Sequence, residues 1–242
     1  MNLIVDVGNT LVKFAVFQDD EVVEKMIVEL SEFERTQEKI SKNHPKIDKC
    51  ILASVGKVSK RVVSKLQKQY KVLILDSNLK FPFQNRYQTP KTLGVDRMAL
   101  VAASVNQYPN DNVLIIDAGS CITYDFKTQQ NAYLGGAISP GIRLRYKSLH
   151  NFTANLPLLE TMIPETLVGD STTGAIHSGV VNGIVKEIDG IIDEYQAKYS
   201  DLTVILTGGD ANFLSKQLKN SIFANSNFLL EGLNFILEYN TH

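Results

Sequence analysis

The sequence predicts an α/β protein made of two related domains, each a mixed β-sheet flanked by helices. Apolar runs of strand length alternate with segments of helical periodicity along its 242 residues. The stretch LIVDVGNTLVKF at residues 3–14 is echoed by LIIDAGSCITYDF at residues 114–126. Because each copy opens one half of the chain, we expect one domain over residues 1–111 and a second over residues 112–242.

The elements of the first half are predicted from hydrophobic period and from the turn residues that end each run. An apolar run at residues 3–7 and an alternating run at 11–17 predict a β-hairpin. Ser31, with Glu34 three residues later, predicts a capping box that starts a helix. The pattern then predicts, in order, a strand at 21–30, a helix at 31–43, a strand at 47–55, a helix at 59–70, a strand at 71–76, a loop at 77–92 and a helix at 93–108.

The second half follows the same plan. Residues 113–126 again predict strand, turn and strand, and the glycine-rich stretch 135–141 predicts a connection. Apolar side chains recur at helical spacing through residues 174–199, which predicts one long helix. A strand at 202–206 and a last helix at 227–239 complete the chain.

Composition narrows the classes of function. The chain has 25 Lys and Arg against 26 Asp and Glu, which argues against nucleic-acid and membrane partners because both attract excess positive charge. No apolar run approaches the roughly 18 residues of a membrane span, and no signal peptide is recognised. Cys50 and Cys121 form no CxxC pair, so we expect a reduced, cytoplasmic protein.

The first turn combines residue types that suit a phosphate and a cation. Gly8 allows the backbone to turn tightly and to approach a ligand. Successive N–H groups of such a turn form an anion-binding concavity, to which Asn9 and Thr10 add donors. Lys13 can neutralise a phosphate, and Asp6 can hold Mg²⁺.

A single turn of this kind is also compatible with an ordinary solvated hairpin. The second copy at residues 117–121 and a third glycine turn at 207–211 favour a nucleotide site instead. The chain has neither GxxxxGK[ST] nor GxGxxG. Its paired hairpins resemble those of the acetate kinase, sugar kinase, heat-shock ATPase and actin superfamily, which implies two actin-like ATPase domains of ribonuclease H-like fold.

The segment PFQNRYQTPKTLGVDR at residues 82–97 suggests a substrate site, since a long loop usually carries function. Gly94 allows a ligand to approach closely. Asp96 and Arg97 open a predicted helix, where the dipole keeps a carboxylate ionised and able to accept a proton from an alcohol. Arg97 offers a planar fork for a carboxylate or a phosphate. The alternative is a helix-end charge with a surface partner.

Together with DVGNTLVK, DAGS, GGAISPGI and GDSTTGAIHSG, this segment closely resembles type III pantothenate kinase over nearly the whole chain. The resemblance implies that ATP phosphorylates the terminal hydroxyl of pantothenate, the first step of coenzyme A biosynthesis. It also implies Mg²⁺, a monovalent cation (K⁺ or NH₄⁺), and a homodimer whose subunits share the substrate site.

The resemblance assigns roles residue by residue. Asp96 matches the general base, and Asp117 matches the ligand of the monovalent cation, while Asp6 serves the magnesium. The positions that match ATP contacts are Asp6, Val7, Gly8, Asn9, Thr10, Leu11, Val12, Lys13, Ser120, Gly208 and Gly209. The positions that match pantothenate contacts are Tyr87, Gly94, Val95, Asp96, Arg97, His150 and, from the other subunit, Thr172.

Some positions invite a simpler interpretation. The family's Asp-x-Gly-Thr-Ala is Asp-Ala-Gly-Ser-Cys here, so Ser120 keeps a hydroxyl and Cys121 is expected to pack. Thr172 is also a candidate N-cap. His177 is expected at a helix surface or an interface.

Two alternatives for the function stay open. One is a kinase of the same fold for another small alcohol, such as a sugar. The other is a non-catalytic transcription accessory factor of the same family, which would retain the fold without needing Asp96 as a base.

Overall fold

The computed structural model of the chain describes residues 1–8, 11–54 and 60–241. The strands are, in chain order, β1 (Asn2–Val7), β2 (Leu11–Gln18), β3 (Glu21–Glu29), β4 (Lys49–Ser54), β5 (Lys71–Ile74), β6 (Gln84–Asn85), β7 (Asn112–Ala118), β8 (Cys121–Lys127), β9 (Ala132–Pro140), β10 (Leu202–Thr207) and β11 (Phe223–Ala224). The helices are α1 (Phe33–Asn43), α2 (Lys60–Gln67), α3 (Val95–Gln107), α4 (Ile142–Asn151), α5 (Thr172–His177), α6 (Gly183–Lys198), α7 (Ala211–Leu214) and α8 (Phe228–Thr241).

The chain divides into two compact units. The first comprises Met1–Pro109 together with Asn227–His242, and the second comprises Asn110–Ser226. The C-terminal helix α8 therefore belongs to the first unit, which corrects the expectation that it would close a domain over residues 112–242. It packs there on α3, where a Cβ at Gly232 would overlap the Ala99 carbonyl oxygen.

The first unit contains a mixed sheet in the order β3-β2-β1-β4-β5. The β1–β2 and β2–β3 pairs are antiparallel, while β1–β4 and β4–β5 are parallel. Apolar side chains of β1, β2 and β4 are buried with those of α1 and α2, among them Phe14 and Phe33, whose ring centroids lie 5.0 Å apart. The predicted hairpin at the start of the chain is therefore confirmed.

The second unit repeats the arrangement. Its own strands run in the order β11-β10-β7-β8-β9, with β7–β8 and β8–β9 antiparallel and β10 parallel to β7. One face of this sheet packs against α4, α6 and α7 through a core that includes Tyr124, Tyr146 and Ile188. The predicted fold class, a pair of α/β units with mixed sheets flanked by helices, is confirmed.

Four local predictions differ from the structure. The capping box at Ser31 is absent, because a 3₁₀ turn at Leu30–Glu32 precedes α1 and Glu34 instead forms ion pairs with Arg61 and Lys65. The helix predicted at 174–199 is α5, a π-helical turn at Ser178–Asn182 and α6. The loop at 77–92 contains β6 and a 3₁₀ turn at Pro90–Thr92. The glycine-rich connection at 135–141 is mostly strand β9.

Gly136 explains why a glycine-rich stretch forms a strand. It pairs with Asp125 in β8, and a Cβ there would overlap the Tyr124 carbonyl oxygen. The close approach of β9 to β8 therefore requires glycine at this position.

We expect Gly136→Ala to lower the free energy of unfolding by about 1–3 kcal/mol, because the strands must separate to admit a methyl group. Gly190→Ala is the matched control, since Gly190 is exposed on α6 and no atom lies within 4 Å of the position that a Cβ would take there. It should stabilise the protein by about 0.5–1 kcal/mol. Urea denaturation of both variants measures the difference; equal stabilities would contradict this explanation.

In the part of the chain that the structure describes, every helix is too short or too polar to traverse a lipid bilayer.

Candidate active site

Asp6 and Lys13 form a charged pair at the end of the first hairpin. They are direct partners across β1 and β2, with Lys13 Nζ 3.3 Å from Asp6 Oδ2. Burial raises the pKa of the Asp6 carboxyl, the Lys13 ammonium lowers it, and the Asp96 carboxylate raises it again. Asp6 and Asp96 are thus close enough to interact, although 90 residues separate them in sequence (from 6 to 96).

The turn itself is closed by the Gly8 N–H, which donates to the Leu11 carbonyl oxygen at 3.0 Å. Val7 and Val12 form the last pair of the hairpin and are both buried, so their side chains fix the turn on the sheet. Two predicted residues of this turn lie outside the described residues: Asn9 and Thr10.

The start of α3 brings the predicted substrate residues together. Gly94 is the N-cap, and a Cβ there would overlap Asp96 Oδ1. That oxygen accepts the Arg97 N–H at 2.8 Å, which orients the carboxylate. The Arg97 guanidinium lies 5.5 Å from the centroid of the Tyr87 ring, and the residue is only 5% exposed. The alternative of Arg97 as a surface residue is therefore wrong; Val95, between the cap and the acid, begins the helix.

The second turn is one residue shorter than the first. Residues 119–120 connect β7 to β8, whereas residues 8–10 connect β1 to β2. Cys121 therefore corresponds to Leu11, the first residue of β2, and not to Thr10. The Gly119 N–H donates to the Cys121 carbonyl oxygen at 2.9 Å. Ser120 and Cys121 are both exposed, so the expectation that Cys121 packs is wrong.

The third turn lies against the second one within the same unit. Gly208 has a φ of +96°, and a Cβ there would overlap the Ala118 carbonyl oxygen and approach Asp117 Oδ1. The Asp210 N–H donates to that same carbonyl at 3.0 Å. Gly209 has no neighbouring atom within 4 Å of a Cβ position, so its backbone faces open space. Gly208, Gly209 and Asp117 are therefore brought together.

Thr172 and His150 lie in the second unit. Thr172 is exposed as the first residue of α5, and the N-cap is Ser171, whose Oγ accepts the Gly174 N–H at 3.1 Å. The suggested capping role of Thr172 is therefore wrong, which leaves its hydroxyl available for another contact. His150, near the end of α4, donates from Nδ1 to the Leu156 carbonyl oxygen at 2.8 Å.

No group of three or more His, Cys, Asp or Glu side chains that could hold a metal ion occurs among the described residues. A cation at Asp6 or Asp117 would therefore share one carboxylate with backbone oxygens, water or phosphate. Magnesium commonly binds in this way, through one or two carboxylates and the phosphates of a nucleotide. Asp6, buried and next to Lys13, fits such a role.

Comparison with known proteins decides the family. A family model for type III pantothenate kinase matches residues 2–194. A type III pantothenate kinase of Christiangramia forsetii is 56% identical over 240 residues, covering 99% of both chains. One from Flavobacterium johnsoniae is 55% identical, covering 99% of this chain and 98% of the relative. The chain belongs to the type III pantothenate kinase family.

Solved structures support the fold of this family member. A Campylobacter jejuni protein assigned to the Baf family of transcriptional activators matches with a TM-score of 0.64 at 24% identity, covering 98% of both chains. A ROK family glucokinase from Streptomyces griseus matches with a TM-score of 0.53 at 10% identity, covering 99% and 98%. Such likeness shows the fold alone, and it confirms the two actin-like domains predicted from the sequence.

Two polar clusters in this kinase family member were not predicted from the sequence. His177, expected at a helix surface or an interface, is buried in this chain, and its Nδ1 lies 2.7 Å from the Tyr146 hydroxyl. The Tyr124 hydroxyl donates to Glu187 at 2.8 Å, and Glu187 forms an ion pair with Arg145. Each cluster joins residues more than 30 positions apart in sequence, as from 146 to 177, so no local pattern could show it.

Proposed function

We propose that this chain transfers the γ-phosphoryl group of ATP to the terminal hydroxyl of pantothenate, giving 4′-phosphopantothenate, the first step of coenzyme A biosynthesis. The observation that carries the proposal is the proximity, within the first unit, of Asp96 to the Asp6–Lys13 pair. A base for the acceptor hydroxyl and a cation for the phosphate are thereby present in one place. Membership of the type III pantothenate kinase family supports the phosphorylation of pantothenate.

Each residue has a defined task in this proposal. Asp96 accepts the proton of the pantothenate hydroxyl, and its carboxylate is oriented by the Arg97 N–H. The Arg97 guanidinium, which lies over the Tyr87 ring, offers donors to the pantothenate carboxylate. Lys13 neutralises charge on the phosphates. Positioning and charge neutralisation of this kind account for most of the catalysis in phosphoryl transfer.

Each unit, taken by itself, has a glycine turn that suits a part of a nucleotide. We assign Ser120, and Asn9 and Thr10 outside the described residues, to phosphate, because successive N–H groups of a turn can bind an anion. Gly209, with open space at its Cβ position, serves the adenosine, where a bare backbone admits close approach, and Gly208 allows the turn to pack against Ala118. Asp6 would hold Mg²⁺, which when bound neutralises phosphate charge, and Asp117 would hold K⁺ or NH₄⁺.

Exposed apolar side chains support the proposal of a homodimer. Between α4 and α5 the chain exposes Phe152, Leu158, Met162, Ile163, Leu167 and Val168. Phe152 is 88% exposed, and a run of exposed large apolar side chains of this kind is typical of a protein–protein interaction site. Thr172 lies four positions after Val168, so a partner that covers this segment would also lie close to the exposed Thr172 hydroxyl.

A substrate panel tests the proposed activity. ADP release from ATP should depend on added pantothenate and not on glucose or another sugar. Release that depends on a sugar but not on pantothenate would establish the alternative kinase. Purified, folded protein that binds ATP and phosphorylates nothing would favour the non-catalytic accessory factor.

Asp117→Asn should abolish activation by potassium, because the amide lacks the charge that holds the ion. Activity would be titrated with KCl against NaCl at constant ionic strength. The variant in KCl is expected to match the wild type in NaCl. Asp201→Asn, an exposed carboxylate of the same unit, is the control and should respond to potassium as the wild type does. Full potassium activation of Asp117→Asn would exclude Asp117 as the ligand.

A shared substrate site predicts complementation between subunits. Asp96→Asn and Thr172→Arg should each inactivate the homodimer. After subunit exchange, half of the dimers carry one defect on each chain, and one of their two sites then has neither. Activity should therefore recover to about a quarter of the wild-type level in a symmetric dimer with sites shared across the interface. No recovery after exchange verified by mass spectrometry would contradict a shared site.

A further inference from the structure

The start of α4 is fixed directly against the second glycine turn. The Gly141 N–H donates to the Ser120 carbonyl oxygen at 3.1 Å. A Cβ at Gly141 would overlap the Gly119 carbonyl oxygen, so the helix approaches as closely as a backbone can. The backbone at the start of α4 therefore lies against the turn that we assign to ATP phosphates.

Two arginines follow Gly141 on this helix, and they differ in their surroundings. Arg145 donates to the Pro140 carbonyl at 2.9 Å and to Ser139 Oγ at 3.0 Å, and forms an ion pair with Glu187. Its Nε and Nη2 donors are therefore occupied by contacts within the fold. Arg143 is exposed and takes part in none of the ion pairs formed within residues 1–8, 11–54 and 60–241.

Arg143 nevertheless lies close to the third turn. Burial raises the pKa of the Asp210 carboxyl, and the positive charge of Arg143 lowers it. The Asp210 N–H is bonded to the Ala118 carbonyl at the end of β7. Arg143 is thus flanked by the second turn through Gly141 and by the third turn through Asp210.

The two hairpins also differ in charge at equivalent positions. In the first, Asp6 pairs across the strands with Lys13. In the second, the equivalent Asp117 pairs with Thr123, which carries no charge. The second hairpin thus has Thr123 at the position where the first has Lys13, and Arg143 on the adjoining helix can supply a positive charge near this turn.

We propose that Arg143 binds the phosphates of the nucleotide and so makes the second unit selective for a phosphorylated donor. A guanidinium can donate two parallel hydrogen bonds to one phosphate, which a lysine cannot. The inference rests on the proposed nucleotide site and adds to it a contact that the glycine turns alone do not provide. Arg143 is a binding residue and takes no part in proton transfer.

Calorimetry with ADP–Mg²⁺ and with adenosine, both without pantothenate, tests this directly. Arg143→Gln should weaken ADP about tenfold or more, as expected for the loss of charge-assisted hydrogen bonds. Its adenosine affinity should stay within about twofold, because adenosine carries no phosphate. Arg143→Lys should recover only part of the loss. Lys147→Gln removes a charge from an exposed position one turn along α4 and should leave ADP binding within about twofold.

Three outcomes would overturn the inference. Unchanged ADP binding by Arg143→Gln would exclude the contact. Equal losses of ADP and adenosine would assign Arg143 to the nucleoside and not to phosphate. A wild-type protein that binds no ADP would overturn the proposed nucleotide site itself. That result differs from a failure of the Arg143 contact alone, in which the wild type and Arg143→Gln would bind ADP equally well.

Discussion

Asp96→Asn is expected to lower kcat for pantothenate phosphorylation by about 10²- to 10⁴-fold, the usual contribution of a positioned general base. The amide cannot accept the proton of the pantothenate hydroxyl. Its Oδ1 can still accept the Arg97 N–H, so the start of α3 should keep its geometry. The loss should therefore fall on kcat, with the KM for ATP nearly unchanged.

Steady-state kinetics and ADP calorimetry on the same preparation separate chemistry from binding. Asp20→Asn is the control, since Asp20 is an exposed carboxylate of the same unit in the turn between β2 and β3. It should keep wild-type kinetics. An Asp96→Asn enzyme that binds ADP and turns over at the wild-type rate would show that the base is another group.

Lys13→Met should have the next largest effect, because it removes the cation from the first phosphate turn and leaves Asp6 without its partner. Asp6 is only 6% exposed, and burial already raises the pKa of its carboxyl. The KM for ATP should rise at least tenfold, as for a lost charge-assisted contact to phosphate. The free energy of unfolding should fall by about 1–2 kcal/mol, a modest value because the Lys13 side chain is 38% exposed and water screens the pair.

The double variant Asp6→Asn/Lys13→Met distinguishes the two effects. Removing both charges should restore the stability lost in Lys13→Met, because no buried carboxylate is left unpaired. It should not restore ATP affinity. Lys39→Met, at an exposed site on α1, is the matched control and should change neither quantity. If the free energy of unfolding stays low in the double variant, the aliphatic part of the Lys13 side chain, and not its charge, stabilises the turn.

The strands that carry the site were predictable because their signals are local. β1, β2 and β7 are nearly continuous apolar runs, and each of β1 and β7 ends in Asp-x-Gly, where burial gives way to a turn. The positions of Asp6, Lys13 and Asp117 followed from these runs. The proximity of Asp96 to Asp6 did not, since it depends on how α3 packs in the first unit.

The failures have long-range causes. Gly135 and Gly136 signal a loop locally, yet both lie in β9, where the pairing with β8 leaves no room for a side chain at Gly136. The return of α8 to the first unit leaves no local trace, because its apolar face would suit either sheet. Ser171 and Thr172 are both good caps, and only the fold decides between them.

Whether the chain phosphorylates pantothenate can be decided by ³¹P NMR after incubation of the purified chain with pantothenate, ATP and Mg²⁺, with and without K⁺. We expect a phosphomonoester on the terminal hydroxyl that forms only with both substrates, faster with K⁺, and not with Asp96→Asn. No phosphomonoester under either condition, from protein that binds ADP, would leave the fold intact and contradict the function.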